Sequence, residues 1–313
     1  MYELSTLDAG FLFAETRHSP KHVGGVQVFQ LPGGKGSAWL RRLLDDLKGV
    51  APGFPFDHKL RDNSILSPVL IPDGAYDVDY HVRHTVLPGP GSREQLEEMI
   101  ARLHANLLDR ERPLWEFHLI EGLQNRRFAF YTKIHHAMAD GVTFSRWFAE
   151  SGSRSPDEMD STPIWQRTPH AEKSSEKPGL GGLLSEGARI LNHSLKTTLE
   201  LSALSAKLMQ QRLFEGKQQA ALPLDAPRTR FNVPTGAARN FSISHYPFDE
   251  FHQVATTLRC TINELVMTLS DLAANRYLAD KDELPDEPLV VYMPVSLRQG
   301  ENGDGNLISL LQV

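Results

Sequence analysis

The sequence predicts an α/β protein of sheet-plus-helix layers. Alternating or apolar runs of strand length are interleaved with stretches of helical period. The same mixture recurs on both sides of a long polar interruption, which argues for a two-layer α+β architecture in two blocks. A chain of 313 residues is long enough for two domains at about 100–200 residues each.

Each element follows from local pattern. Residues 23–31 (VGGVQVFQL) read as a strand that opens on two glycines. Residues 37–50 read as a helix. Residues 92–107 read as another: Ser92 and Gln95 have capping-box spacing, and Leu96, Met99, Ile100, Leu103 and Leu107 recur at the helical period. Residues 114–120 alternate, with Trp115, Phe117 and Leu119 on one side. Residues 127–134 alternate likewise, with Phe128, Phe130, Thr132 and Ile134 sharing a face. Gly122, Gln124 and Asn125 suit a turn that would make the pair a hairpin. A helix is expected to start near Val142.

Residues 151–180 are rich in Ser, Pro and charge and read as a linker or surface crossover. Residues 183–213 carry an incomplete apolar stripe at helical spacing, and 216–238 are irregular. From Asn240 onward FSISHYPF is compatible with a strand, and Phe251, Val254, Ala255 and Leu258 mark a short helix. Residues 261–278 mark a longer helix, with Thr261 and Glu264 at capping-box spacing. Residues 289–293 are nearly all apolar and suit a buried strand. The expected organisation is an N-terminal domain over 1–150, a linker and crossover helix over 151–239, and the start of a second, incomplete domain over 240–313.

Composition excludes several classes. Lys plus Arg is 33 against 39 for Asp plus Glu, a net charge of −6 with no basic run, so nucleic acid is not the expected partner. One cysteine, Cys260, rules out a disulfide scaffold and favours a reducing compartment. The N-terminus lacks the pattern of a signal peptide. No apolar run approaches the ~20 residues of a membrane span, so any membrane contact is expected to be peripheral.

The sharpest motif is Ile134-His135-His136-Ala137-Met138-Ala139-Asp140-Gly141, placed where a strand ends and a helix begins. Adjacent strand residues point to opposite faces, so one histidine can face a cleft while the other is tied into the scaffold. A neutral imidazole can take a proton from an alcohol near pH 7. Asp140 can rigidify the motif, and Gly141 permits a positive φ or close backbone approach. A zinc site is not expected, because neighbouring strand histidines diverge and no HExxH or Cys ligand set exists. A Ser-His-Asp site is not expected either, for want of a GxSxG elbow.

HHxxxDG resembles the signature of the coenzyme-A-dependent acyltransferases, which include chloramphenicol acetyltransferase and peptide-synthetase condensation domains. LDAGFLFAET with PKHVGGVQVF, DVDYHVRH, RPLWEFHLIEGLQNRRFAFYTKIHHAMADG, TINELV and MPVSLR together resemble the bacterial wax ester synthase/diacylglycerol acyltransferase family. The resemblance implies a chloramphenicol-acetyltransferase-like fold of two similar domains sharing a cleft. It implies acyl transfer from acyl-CoA to a long-chain alcohol or to diacylglycerol, with no covalent acyl-enzyme. Acyl-CoA would be a co-substrate, with no permanently bound cofactor and no metal. The protein would be cytoplasmic and peripherally associated with membrane or lipid inclusions.

Carried over by residue, His136 is the expected general base, and His135 and Asp140 orient it, with Gly141 completing the motif. Arg298 is the expected ion-pair partner of Asp140. Pro113, Leu114 and Trp115, with Asn263, are the expected substrate-binding residues, though a Trp on an alternating strand also suits a core. Glu264 is read as a helix cap, and His81, His84 and His118 as structural or exposed. Family members run longer, so the chain is expected to lack a C-terminal part. Two other readings stay open at this point: a non-catalytic lipid-binding fragment, and an acyltransferase using a carrier-protein thioester.

Overall fold

The computed structural model describes residues 1–61, 68–139, 141–152, 162–166, 226–296 and 308–312. The chain divides into two compact units. The first holds Met1–Pro169 and Pro234–Glu250; the second holds Phe251–Leu297 and Ile308–Val313, with the stretch that ends at Val233. The helix expected over 183–213, Asp140 and Arg298 lie outside the described residues.

The first unit opens with β1 (Tyr2–Glu3) and α1 (Thr6–Ala14), whose cap Ser5 accepts the Asp8 N–H through its hydroxyl at 3.1 Å. Then come β2 (His22–Gln30), α2 (Ser37–Lys48), β3 (His58–Leu60), β4 (Val69–Pro72), α3 (Val78–His81) and β5 (Val82–Val86). They are followed by α4 (Arg93–Ala105), β6 (Trp115–Leu123), β7 (Arg127–His135) and α5 (Gly141–Ser151). The main sheet has the order β2-β7-β6-β5, antiparallel except for the parallel pair β5–β6. A small antiparallel sheet runs β1-β4-β3.

Both faces of the main sheet are covered. Trp115, Phe117, Leu119, Phe128 and Ile134 pack with Leu40 and Leu44 of α2 and Phe144 and Trp147 of α5. On the reverse, Ile120, Ala129 and Tyr131 pack with Leu96 and Ile100 of α4. The capping box of α4 forms as its spacing predicts, Ser92 Oγ accepting from Gln95 N and Gln95 Oε1 accepting from Ser92 N. Leu107 is exposed because the helix ends before it.

The hairpin is present, but its glycine is not in the turn. The turn is the three residues Gln124, Asn125 and Arg126, and Asn125 and Arg126 take left-handed φ of 59° and 55°. Gly122 (φ 95°) sits inside β6, where the register slips between Ile120 and Leu123. A Cβ on Gly91 would lie 1.8 Å from the Gly122 carbonyl oxygen, so the α4 approach crosses this bulge backbone to backbone.

Two readings change in this unit. Within the polar stretch after residue 150, Ile164 and Trp165 are core residues: Trp165 stacks on Trp115 at 5.5 Å, and its Nε1–H donates to Val50 O at 3.2 Å. FSISHYPF forms no strand. Ile243 N–H bonds to Glu97 Oε1 at 2.7 Å, and residues 241–245 line a groove of about 350 Å³ against Val26 and Val28.

In the second unit α6 (Phe248–Leu258), which begins in the first unit's last stretch, precedes α7 (Ile262–Ala279). The capping box of Thr261 and Glu264 forms. Ala255 is buried but Val254 and Leu258 are exposed, so the expected apolar face of α6 is only partly covered. Arg230 makes a two-pronged ion pair with Glu283 at 2.5 and 2.7 Å. β8 (Tyr292–Ser296) pairs antiparallel with β9 (Ile308–Gln312). It starts three residues later than the apolar run predicts, leaving Val291 exposed ahead of the ladder. Among the described residues no helix is long and apolar enough to cross a membrane.

Candidate active site

The two histidines sit at the C-terminal end of β7, and the strand geometry separates them. His135 closes the ladder opposite His22 of β2 and is fully buried. Its backbone N–H donates to Leu114 O at 3.0 Å. Its Nδ1 accepts the Ala137 N–H at 3.0 Å, which places the ring proton on Nε2 in the neutral form. The turn is closed by Met138 N–H on His135 O at 2.9 Å.

His136 is only partly buried, although its Nδ1 is out of reach of solvent. Its N–H donates to Lys21 O at 2.8 Å, the residue just before β2. Its ring lies parallel to that of Phe11 of α1, centroids 4.8 Å apart and planes 17° apart. One histidine is therefore locked in the scaffold, and its neighbour is held by backbone and by a stacked ring.

Behind His135 lies a residue that no local motif announces. Glu15, just past α1, has a side chain 1% exposed, and its Oε1 is 3.4 Å from His135 Nε2. That separation is within ion-pair range without the alignment of a full hydrogen bond. Oε1 also accepts Lys21 N–H at 3.1 Å, and Oε2 accepts from Arg110 Nη2 at 3.1 Å. Burial pushes the Glu15 carboxyl up, but His135, the Lys21 amide and Arg110 outweigh it and hold it at about 2. Only chain-distant pairing reveals Glu15 and Phe11. The signal in sequence was LDAGFLFAET as a block, with no residue singled out.

The other expected site residues fall as follows. Pro113, Leu114 and Trp115 are buried; Trp115 donates its Nε1–H to Phe56 O at 2.8 Å and lies between His81 and Trp165. Trp115 and Leu114 pack in the core, and the Leu114 carbonyl is the acceptor for the His135 N–H. Gly141 begins α5 without a positive φ, and a Cβ there would meet nothing within 4 Å among the described residues. Asn263 is exposed in the first turn of α7, in the second unit. His81 and His118 are buried, while His84 is partly exposed beside Glu121 at 2.9 Å. Among the described residues no cluster of three or more His, Cys, Asp or Glu could hold a metal.

Next to the motif a polar cluster fills the α4 side of the sheet. His22 Nε2 donates to His104 O at 2.7 Å, and His104 Nδ1 meets the Tyr131 hydroxyl at 2.9 Å. Lys133 Nζ donates to Leu103 O and Asn106 O, both at 3.0 Å, and pairs with Glu116 Oε2 at 3.3 Å. Burial lowers His22 to about 4 despite the carbonyl it faces. Burial also raises Glu116, yet His118, Lys133 and Arg83 hold it at about 2.

The chain as a whole has counterparts among known proteins. A probable diacylglycerol O-acyltransferase of Mycobacterium tuberculosis is 36% identical over 309 residues, 96% of this chain and 66% of its own length. The O-acyltransferase WSD of Acinetobacter baylyi is 31% identical over 99% of this chain and 67% of its own. The wax ester synthase/diacylglycerol acyltransferase from Marinobacter aquaeolei VT8 superposes with a TM-score of 0.70 at 31% identity, over 94% of this chain and 65% of that one. A condensation domain of the calcium-dependent antibiotic synthetase shares the fold, with a TM-score of 0.52 at 17% identity, over 99% of this chain and 68% of that one. The chain thus spans about two thirds of the length of these relatives. The family model for the wax ester synthase/diacylglycerol acyltransferase catalytic domain matches residues 4–266, across both histidines and the α7 capping box, and on that match the chain belongs to this family.

Proposed function

We propose that the protein is an acyl-CoA-dependent O-acyltransferase that moves a fatty acyl group to a long-chain alcohol or to diacylglycerol. The observation that carries the reading is the split pair: His135 buried and tied, His136 partly open and stacked on Phe11. His136 is the general base. With Nδ1 buried, Nε2 is the nitrogen that takes the hydroxyl proton. The alcohol oxygen attacks the thioester carbonyl carbon, forming the C–O bond and a tetrahedral oxyanion. Collapse breaks the C–S bond, and the CoA thiolate receives the proton from the imidazolium. Ester and free CoA leave, and no acyl-enzyme forms. Asp140, Gly141, Asn263 and an Asp140–Arg298 ion pair remain part of this reading through the family motif.

The two-domain organisation, with a linker over 151–239 and a partial second domain from residue 240, belongs to the same proposal. So do a cytoplasmic location and peripheral attachment to membrane or lipid inclusions through apolar surface. The test is incubation of the full protein with labelled acyl-CoA plus each acceptor class, followed by lipid separation, for the native protein and His136→Ala. Native protein should form ester and the variant should not, at unchanged fold. A folded variant with full activity removes His136 as the base.

A further inference from the structure

The geometry points to Glu15 as a positioning residue that fixes the ring of His136 from behind, through His135 and through Lys21. This role rests on His136 being the base. It goes beyond that assignment by naming the group that keeps the base in place.

Glu15 reaches the His136 backbone by two routes. The first runs through the buried ring. Ala137 N–H occupies Nδ1 of His135, so the turn around His136 requires the proton on Nε2. A carboxylate oxygen 3.4 Å from Nε2 favours that tautomer. With the proton on Nδ1, the Ala137 amide would face a donor and lose its acceptor. The second route runs through Lys21. Its N–H is held by Glu15 Oε1 at 3.1 Å, and its C=O holds the His136 N–H at 2.8 Å. Arg110 anchors the carboxylate from the far side, donating to Glu15 Oε2 at 3.1 Å and to Leu12 O at 2.6 Å. α1 therefore supplies the ring that stacks on His136, and the residue that caps its C-terminal end supplies the carboxylate that sets the turn beneath it.

The discriminating variant is Glu15→Gln, which keeps the size and one carbonyl acceptor but removes the charge. Glu15→Asp, which keeps the charge on a shorter arm, is its companion. Histidine ¹⁵N NMR reads the His135 tautomer, denaturant titration reads the fold, and steady-state kinetics in the full protein separate kcat from KM. Glu15→Gln should stay folded, show His135 as a mixture of tautomers, and lose about 10–100-fold in kcat at a nearly unchanged KM for acyl-CoA, the scale of a displaced reacting group. Glu15→Asp should recover part of the rate and of the native tautomer. An inactive His136→Ala together with native kcat and an unchanged tautomer in Glu15→Gln overturns the role of Glu15 alone. A rate loss that merely follows the unfolded fraction overturns it too. A fully active, folded His136→Ala overturns the base assignment, and this role with it.

Discussion

Lys133 and Glu116 are direct cross-strand partners in the β6–β7 ladder, and their charged ends meet at 3.3 Å on the side of the sheet that α4 covers. Lys133 is fully buried, and its remaining donors cap the last carbonyls of α4 and its exit, at Leu103 and Asn106. Lys133→Met should destabilise the protein by about 3–5 kcal/mol, because Glu116 would stay buried with a partner removed. Adding Glu116→Gln should recover part of the loss. Urea midpoints of the single and double variants measure both effects.

Acid should weaken the fold in two steps. His22 and His81 are held by burial at about 4 against an ordinary 6.5, so the unfolded chain binds their protons first as pH falls. Stability is therefore full above about 6.5 and drains away down to about 4, by about 3 kcal/mol for each histidine. Glu15 and Glu116 are held at about 2 against 4.5, so their contribution is present above 4.5 and is lost as pH falls to about 2. Denaturant titrations at several pH values should show both windows. His81→Gln should make the upper one shallower, with His22 still contributing.

Trp165→Ala should cost about 3–5 kcal/mol, since it removes a buried indole stacked on Trp115 and set edge-on to Phe117. Trp165→Phe should retain most of the stability by keeping a ring in the stack. Near-UV circular dichroism and denaturant midpoints distinguish the two.

Phe11→Leu should leave the fold intact and lower kcat about tenfold, near 1.4 kcal/mol, as the parallel contact with His136 is lost. Thermal melting and initial rates of ester formation, measured side by side, check this.

Patterns that are local in the chain were legible in it. Ser92 with Gln95 and Thr261 with Glu264 form the capping boxes their spacing predicts, and the β6–β7 hairpin follows from alternation. Glu116, His118 and Lys133 also alternate with apolar residues, and in sequence they look like a solvated face. They are instead buried and paired with one another, which requires α4 overhead. Trp165 was hidden because one indole in a polar stretch carries no periodic signal. FSISHYPF had the composition of a strand but lacks a ladder partner. Half of the candidate site was readable, since HHxxxDG marks the two rings. Their environment was not, because Glu15 and Phe11 meet them only across the folded chain.

The contact between α1 and the β7 turn also carries a cost in time. His135 leaves the ribosome about 120 residues after Glu15. At about 5–20 residues per second, the nascent amino-terminal helix waits roughly 6–24 s for its partner. During that interval Leu12 and the Glu15 carboxylate, both interior in the finished protein, are exposed to water and to any holdase that samples the emerging chain.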